Sequence, residues 1–149
     1  MILEELIVID APPELVFDFF RYMDEQRYLD WHPDHLAFRW VEGRALQEGS
    51  VCYFEERIHG QVNKKNVRYT KVEPNQYIEF VPTWWLYRLL LPRMSFAMEQ
   101  QRDKVTLLRA QVHVRVGPLG ARLNRKEFDA VRQHMKEEGE NLKKWAEQM

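Results

Sequence analysis

The spacing of apolar and polar positions changes twice along the chain, and the first part predicts one strand and two short helices. Residues 2–9, ILEELIVI, form a short run rich in branched apolar side chains, which is typical of a strand. The segments DAPPELVFDFF and RYMDEQRYLDW follow. Prolines stand where the first turn of a helix tolerates them, and Asp10 is positioned to cap the first helix.

From Leu36 the apolar positions alternate with a period of two residues, which predicts strands. Turn-forming residues, most of them glycine, proline or aspartate, separate the alternating stretches. Six strands are therefore expected in HLAFRWVEG, GSVCYFEERIHG, VNKKNVRYTKVEP, QYIEFVP, RMSFAMEQQRD and KVTLLRAQVHVRVGP.

Beyond these strands the apolar spacing changes to about 3.6 residues, which predicts one long amphipathic helix from about Leu119 to Gln148. Its apolar stripe consists of Phe128, Val131, Met135, Leu142 and Trp145. An antiparallel sheet of about seven strands can bury one face by curling around a single helix. Because one helix cannot fill such a concave surface, we expect an α+β fold with an internal cavity.

The composition limits the class of protein. The length of 149 residues is typical of one domain, spanning 1–149, and the hydrophobic fraction of 45% is enough for a sizeable core. The 22 basic and 23 acidic residues give a net charge of −1, which argues against nucleic-acid binding. The single cysteine, Cys52, excludes an intrachain disulfide and thiolate-rich metal sites, and it is expected to be a small core residue.

Two apolar stretches are long enough to compare with targeting or membrane segments. The N-terminal segment MILEELIVIDAPPE carries acids within its apolar run and has no basic leader, so no signal peptide is expected. The stretch FVPTWWLYRLLLP contains Arg88 and is too short to span a bilayer. We therefore expect a cytoplasmic protein that does not insert into membranes.

The order of predicted elements, the segment IDAPPELVFDFF and the C-terminal EGENLKKW resemble the START-like, Bet v 1-like helix-grip superfamily, also called SRPBCC and often described as polyketide cyclase/dehydrase or lipid-transport domains. The resemblance covers essentially the whole chain. It implies a curved antiparallel sheet wrapped around a long C-terminal helix, with a cavity between them. Helix-grip cavities occur in carriers, sensors and enzymes, so the resemblance alone implies no particular activity.

Glu138 interrupts the apolar stripe of the last helix, and His134 lies four residues earlier on the same face. A carboxylate that faces a cavity must be paired, protonated or bound to metal, because an isolated buried charge is too costly. An imidazole and a carboxylate one turn apart form a good metal chelate. The alternative is that His134 lies on the solvated flank and Glu138 pairs with an arginine or a lysine.

Further candidate ligands lie in YLDWHPDH, where a predicted helix meets the second strand. Proline stiffens the turn between His32 and His35, which in a helix-grip fold lies at one mouth of the cavity. Glu56 lies on an otherwise apolar strand face and poses the same burial problem as Glu138. One turn histidine together with Glu56, His134 and Glu138 would supply two nitrogens and two oxygens, a set that suits zinc and tolerates iron or manganese.

The segments RYLDWHPDH and RQHMKEEGENL together resemble the 2,4-diacetylphloroglucinol hydrolase family, helix-grip enzymes that cleave a carbon–carbon bond with a zinc ion held by two histidines and two glutamates. The resemblance implies His35 as the turn ligand and Glu56 as the strand ligand. It implies His134 and Glu138 as the helix pair. His32 is then a supporting group, a general base or an alternative ligand.

Two functional hypotheses follow. The first is a metal-dependent hydrolase or lyase, with zinc as the expected ion, that acts on a small aromatic or polyketide-like ketone. His32 or Tyr69 would move protons. The residues expected to bind the substrate are Trp31, Phe54, Phe96, Met98 and Met135. The second hypothesis is a non-catalytic carrier or sensor of a hydrophobic small molecule or lipid.

The remaining candidates are less specific. An aromatic cluster is expected to form either a lid over the cavity or a homodimer interface; it consists of Trp84, Trp85 and Tyr87. His59 and His113 are expected at strand ends or on the surface. Four strand arginines are expected to pair with acids, although one that faced inward would hold an anionic substrate oxygen; they are Arg68, Arg102, Arg109 and Arg115.

Overall fold

The computed structural model describes residues 1–149, which form one seven-stranded sheet and five helices. The strands are β1 (Ile2–Ile9), β2 (His35–Glu42), β3 (Val51–Ile58), β4 (Gln61–Glu73), β5 (Tyr77–Pro82), β6 (Arg93–Arg102) and β7 (Val105–His113). The helices are α1 (Pro13–Arg21), α2 (Glu25–Trp31), α3 (Trp85–Leu90), α4 (Pro118–Leu123) and α5 (Arg125–Glu147).

The sheet is antiparallel throughout, with the strand order β1-β7-β6-β5-β4-β3-β2. After β1 the chain crosses through α1 and α2 to the opposite edge and then returns strand by strand. Because α1 and α2 carry the chain across the sheet, the turn that follows α2 is brought next to α5. The curved sheet around the long C-terminal helix confirms the expected helix-grip fold.

The apolar face of α5 divides between two clusters of buried side chains. Leu142 and Ala146 belong to the main core, which also contains the buried residues of α1 and α2. Met135 belongs to a smaller cluster with Leu3 and Ala110. Glu138 lies on α5 between these clusters, so its carboxylate projects from a largely apolar helix face toward the interior.

The C-terminal segment differs from the single helix that the apolar spacing predicts. Helix α4 ends at Leu123, and α5 begins at Arg125. Asn124 separates them with a backbone conformation outside the helical region (φ −106°, ψ 23°), and its side-chain amide donates a hydrogen bond to the Gly120 carbonyl at 2.9 Å. Asparagine favours such local hydrogen bonds over helix continuation, which explains the break.

The predicted cap of the first helix is also wrong. Pro12 occupies the N-cap position of α1, and no side chain caps the helix there. Instead, the backbone amide of Asp10 donates a hydrogen bond to the Glu147 carboxylate at 3.2 Å, so it joins the start of the chain to the end of α5.

The aromatic segment after β5 forms α3, a helix that the sequence analysis missed. Trp84, Trp85 and Tyr87 are exposed to 50%, 63% and 41% and do not line the cavity, so this segment is not a closed lid. Only Leu91, directly after α3, reaches the cavity wall. The homodimer interface therefore stays a prediction for this surface. No helix in the structure has both the length and the hydropathy required to cross a membrane.

Candidate metal centre and cavity

The register of β2 and β3 brings two of the predicted ligands together. His35 is the first residue of β2 and pairs directly with Glu56 near the end of β3. Side chains of directly paired residues lie on the same face of a sheet, about 4.5–5.5 Å apart at Cβ. The turn that precedes His35 is closed by a hydrogen bond from the His35 amide to the His32 carbonyl at 3.0 Å.

The other two predicted ligands come from one turn of α5, which is joined to the end of α2 by side-chain hydrogen bonds. The Trp31 indole donates to the Glu138 backbone carbonyl at 2.9 Å. In the opposite direction, the Asn141 side-chain amide donates to the Trp31 carbonyl at 2.8 Å. These bonds hold the turn that carries His35 against the helix face that carries His134.

Four side chains from three elements converge on one point. The Nε2 atom of His35 lies 3.2 Å from Nε2 of His134, 2.9 Å from Oε2 of Glu138 and 4.0 Å from Oε2 of Glu56. The Nε2 atom of His134 lies 3.3 Å from the Glu56 oxygen and 3.5 Å from the Glu138 oxygen. We call these four residues the His/Glu cluster.

The spacing of the cluster fits a tetrahedral ion. Nitrogen and oxygen ligands lie about 2.0–2.2 Å from zinc, so neighbouring ligand atoms of a tetrahedral site are roughly 3.3–3.6 Å apart. The measured separations of 2.9–4.0 Å bracket that range. All four candidate ligand atoms lie within 4.8 Å of one another. The residues present therefore fit one divalent ion, and their role as ligands stays a prediction.

The orientation of the His35 ring also suits a metal ligand. Its Nδ1 atom lies 2.8 Å from the Tyr28 backbone carbonyl, which can only accept a hydrogen bond. Nδ1 therefore carries a hydrogen, and Nε2, the atom that would bind a metal ion, points into the cluster. Metal-binding histidines commonly donate their second ring nitrogen to a carbonyl in this way. The Tyr28 ring stacks on the imidazole at a centroid distance of 3.9 Å and fixes its plane.

No lysine or arginine pairs with either carboxylate of the cluster, which removes the alternative considered for Glu138. Burial alone would lower the pKa of His134, but hydrogen bonds to Glu138 and Glu56 raise it to about 10. Burial alone would raise the pKa of Glu138, but hydrogen bonds to His134 and His35 lower it to about 2. The two glutamates thus favour positive charge at the centre of the cluster.

His32 is buried beside the cluster but has no free nitrogen. Its Nδ1 accepts a hydrogen bond from the Asp34 amide at 2.9 Å, and its Nε2 lies 2.9 Å from the Glu137 carboxylate. Neutral His32 therefore donates through Nε2 to Glu137. Since both nitrogens are engaged and the residue does not line the cavity, its geometry argues against a general base. Ligand atoms of His32, Asp34 and His134 also lie within 4.8 Å of one another, so the role of His32 as an alternative ligand stays a prediction. It packs against His134, with ring centroids 4.3 Å apart, and supports that side chain.

A cavity of about 200 Å³ lies between α5 and the sheet, and 22 of its 28 lining residues are hydrophobic, so it suits an apolar ligand. Three members of the His/Glu cluster line it: Glu56, His134 and Glu138. For scale, a cavity of about 150 Å³ holds benzene. The volume therefore suits a molecule built on one substituted ring.

Four of the five predicted substrate-binding residues line this cavity: Trp31, Phe54, Phe96 and Met135. The fifth, Met98, does not. It is 3% exposed and belongs to the main core, two residues farther along β6 than Phe96, where α1 packs against the strand. Helix α1 thus covers this part of the sheet face and separates Met98 from the cavity.

Tyr69 lines the cavity, but far from the His/Glu cluster. Glu56 pairs with Asn63 on β4, and Tyr69 lies six residues farther along the same strand, roughly 20 Å away. Its hydroxyl contacts the Cys52 sulfur at 3.9 Å. This distance corrects the expectation that Tyr69 moves protons at the cluster. Strand alternation predicts which face of the sheet a side chain lies on, but it does not predict its distance from another residue.

Two of the cavity residues that the sequence analysis missed carry groups that matter for the site. Tyr28 lies beside the cluster, and burial, followed by the charges of Glu56 and Glu138, raises the pKa of its hydroxyl. Its position three residues before Trp31 on one helix face was the available indication. Lys65 lines the cavity from β4, on the same face as Val67. Its indication was the alternation of VNKKNVRYT.

The Tyr28→Phe variant is expected to bind zinc roughly 10- to 100-fold more weakly, because groups that contact metal ligands typically contribute that much to affinity. The substitution keeps the ring that stacks on His35 and removes only the hydroxyl near Glu56. Competition with a fluorescent zinc chelator measures the change. Tyr77→Phe is the matched control, since the Tyr77 hydroxyl bonds to Glu79 outside the cavity. Equal zinc affinity in both variants would show that the Tyr28 hydroxyl does not support the cluster.

The remaining histidines and the cysteine lie where they were expected. His59 is exposed in the two-residue turn between β3 and β4, and His113 is the last residue of β7. Burial lowers the pKa of His113, and Arg93 lowers it further. Cys52 is 1% exposed, and burial raises the pKa of its thiol to about 12.

None of the four arginines lines the cavity, and Arg115 lies after the end of β7 instead of on a strand as expected. Arg68 pairs with Glu42 at 3.5 Å, and Arg109 pairs with Glu4 at 3.0 Å. These pairs confirm the expected surface role for two of them. No arginine faces the cavity to hold an anionic oxygen. Lys65 is the only lysine or arginine that lines the cavity.

Comparison with solved structures identifies relatives of the fold. An aromatase/cyclase, Zhui, from a Streptomyces species aligns with a TM-score of 0.75 and 15% identity over 99% of this chain and 94% of that one. A START superfamily protein from Mycobacterium smegmatis gives 0.64 and 16% over 95% and 98%. The Aha1 dimer from Colwellia psychrerythraea gives 0.57 and 18% over 91% and 92%. At these identities the likeness establishes the fold alone.

Sequence comparison assigns the family. No curated protein matches the chain significantly. A family profile described as Activator of Hsp90 ATPase homolog 1-like protein matches residues 10–147. That match includes every strand after β1, all five helices and the complete His/Glu cluster. The helix-grip fold and the profile agree, and the chain belongs to the family of Activator of Hsp90 ATPase homolog 1-like proteins.

Proposed function

We propose that the protein is a metal-dependent hydrolase or lyase, with zinc as its ion, that acts on a small aromatic or polyketide-like ketone. The observation that carries the proposal is the convergence of His35, Glu56, His134 and Glu138 beside an apolar cavity. Two carboxylates that no lysine or arginine neutralises are costly at such a place unless they share a positive centre. Structural relatives include an aromatase/cyclase, which supports a polyketide-like ligand.

The cluster would hold the ion through two imidazole nitrogens and two carboxylate oxygens, a donor set that suits zinc. A bound zinc ion supplies a Lewis acid that polarises a carbonyl and lowers the pKa of water toward neutrality. His35 and His134 are held in place by the Tyr28 carbonyl and the His32 ring, respectively. The chain therefore fixes the ligand directions before a substrate arrives.

The surrounding residues would orient the substrate and exclude water. Trp31, Phe54 and Phe96 present aromatic surfaces to a ring in the cavity. The Tyr28 hydroxyl, whose raised pKa keeps it protonated at neutral pH, would donate to Glu56 and so orient that carboxylate beside the bound ketone. These contacts place a carbonyl group at the His/Glu cluster and the apolar remainder of the molecule against the sheet.

The second candidate is a non-catalytic carrier or sensor of a hydrophobic small molecule. The observation in its favour is that the histidines and glutamates of the cluster also satisfy one another by hydrogen bonds and ion pairs. In that case the cavity would bind ligands without conversion. The two candidates share the cavity and differ in whether a metal ion and turnover accompany binding.

An acylphenol assay tests the proposal. Zinc-loaded protein is expected to release a carboxylic acid from acylated phloroglucinols or related phenolic ketones, as measured by chromatography. Glu138→Gln should lower the rate by more than about 100-fold, because removing a ligand costs more than removing a supporting group. Glu140→Gln, an exposed position half a turn away on α5, is the matched control. Saturable ketone binding with no turnover in any metal-loaded sample would instead support the carrier.

A further inference from the structure

Lys65 occupies an unusual position for a lysine, because it lies on the inner face of the sheet. In the register of β3 and β4, Phe54 pairs with Lys65 and Cys52 pairs with Val67. Paired residues share a face, and Val67 is 1% exposed. Lys65 is half-buried and lines the cavity, where it is the single lysine or arginine among the 28 lining residues.

The Lys65 ammonium forms no ion pair and no hydrogen bond with the protein, although the carboxylate of Glu56 is near. Glu56, two residues from Phe54 on β3, is the diagonal neighbour of Lys65, about 7–8 Å away between Cα atoms. The adjacent lysine behaves differently: Lys64 points outward, is 65% exposed and pairs with Glu55 at 3.6 Å. Thus the inward lysine keeps its charge unpaired while the outward one does not.

An unpaired ammonium beside an apolar wall is costly unless a ligand or water satisfies it. A charge-assisted hydrogen bond to an anionic oxygen is the strongest contact available to such a group. The pair Phe54–Lys65 lies two residues along the strands from the pair Glu56–Asn63. A one-ring molecule can therefore reach both Lys65 and the His/Glu cluster. The two ends of the ligand would then be distinguished by charge.

We propose that the cavity selects aromatic ligands that carry an anionic oxygen, such as a carboxylate, and that Lys65 binds this group. The anionic end lies at Lys65, and the remainder of the ring extends toward the His/Glu cluster. The selection of an anion by Lys65 rests on the cavity alone. The assignment of the opposite end to a ketone rests on the proposed function.

The test compares two ligands that differ only in charge, 3-acetylbenzoate and 3-acetylbenzamide. Their affinities are measured by isothermal titration calorimetry at neutral pH. The wild-type chain is expected to prefer the acid. Lys65→Met, which keeps an apolar stem of similar length, should weaken binding of the acid roughly 10- to 100-fold and leave binding of the amide unchanged. Lys64→Met, the outward-facing neighbour, should change neither affinity.

Repeating the titrations with and without a chelator separates Lys65 from the metal ion. The proposal predicts that the Lys65-dependent preference for the acid persists after chelation. It is overturned if the preference is unaffected by Lys65→Met but disappears on chelation, because the carboxylate would then bind at the His/Glu cluster. It is also overturned if both ligands weaken equally, or if the wild-type chain binds neither or shows no preference.

Zinc content measured on the same samples keeps the two proposals distinct. Lys65→Met is expected to retain the zinc content of the wild-type chain, since Lys65 forms no ion pair with any of the four cluster residues. A charge preference that depends on Lys65 in protein that binds no zinc would support the anion site and count against the metal enzyme. Zinc binding without any charge preference would give the opposite result.

Discussion

The His134→Ala variant is expected to bind zinc at least about 100-fold more weakly than the wild-type chain. His134 supplies the nitrogen that lies 3.2–3.5 Å from the other three candidate ligand atoms, so its loss leaves an incomplete site. Groups that only contact metal ligands already contribute about 10- to 100-fold, and a ligand itself should contribute more. Competition with chelators of known affinity measures the change.

The matched control is His59→Asn. His59 is an exposed histidine with a positive φ of 54°, a conformation that asparagine tolerates, so the substitution removes an imidazole without straining the turn. Zinc affinity should be unchanged in this variant. If His134→Ala and the wild-type chain bind zinc with equal affinity, the ion does not bind at the His/Glu cluster.

Removal of zinc from the loaded wild-type protein is expected to lower its thermal midpoint by roughly 8–16 °C. An ion that binds only the native state stabilises that state by about 4 kcal/mol when its free concentration is 1,000 times the dissociation constant. For a domain of about 150 residues, each kcal/mol shifts the midpoint by about 2–4 °C. The effect should be large because the cluster joins α5 to the β2–β3 edge of the sheet.

Differential scanning calorimetry with and without chelator measures this shift, and His134→Ala should show almost none. The variant is measured under the same solution conditions, so it controls for effects of the chelator on other parts of the protein. A chelator that leaves the wild-type midpoint unchanged, in protein shown to carry zinc, would mean that the ion does not join these elements.

The hydrophobic pattern was sufficient for the fold. Strand alternation and the 3.6-residue stripe of α5 depend on which face of an element is buried, and one face of every strand in a helix-grip fold faces the helix. The hydrophobic pattern did not predict two features of the secondary structure that depend on local chemistry. Asn124 interrupts the C-terminal helix, and the apolar segment of α3 has no alternation that would separate a helix from a loop.

The candidate site was predicted in part because burial of charge is visible in a sequence. Glu56 and Glu138 interrupt apolar patterns, so each could be assigned to an inner face. The direct pairing of His35 with Glu56 could not be predicted, because strand register depends on the turns and bulges of the finished sheet. The same limit explains Tyr69. The side chain faces the cavity as expected, but it lies far from the His/Glu cluster.

Lys65 shows a different limit. Arginines were considered as anion-binding groups, but Arg68 lies one residue out of phase with Val67 and so faces outward. Lys65 is in phase with Val67 and faces inward. The alternation contained this information, but Lys64 and Lys65 are adjacent, and a pair of lysines in a strand is ordinarily attributed to the solvated face.

Elemental analysis tests the central claim most directly. The wild-type chain and the His134→Ala/Glu138→Ala double variant are purified side by side from cultures supplied with zinc, and zinc per chain is measured in both. The metal assignment predicts close to one zinc ion per wild-type chain and almost none in the double variant. Absence of bound metal from the wild-type chain, or equal zinc in the two proteins, would contradict it.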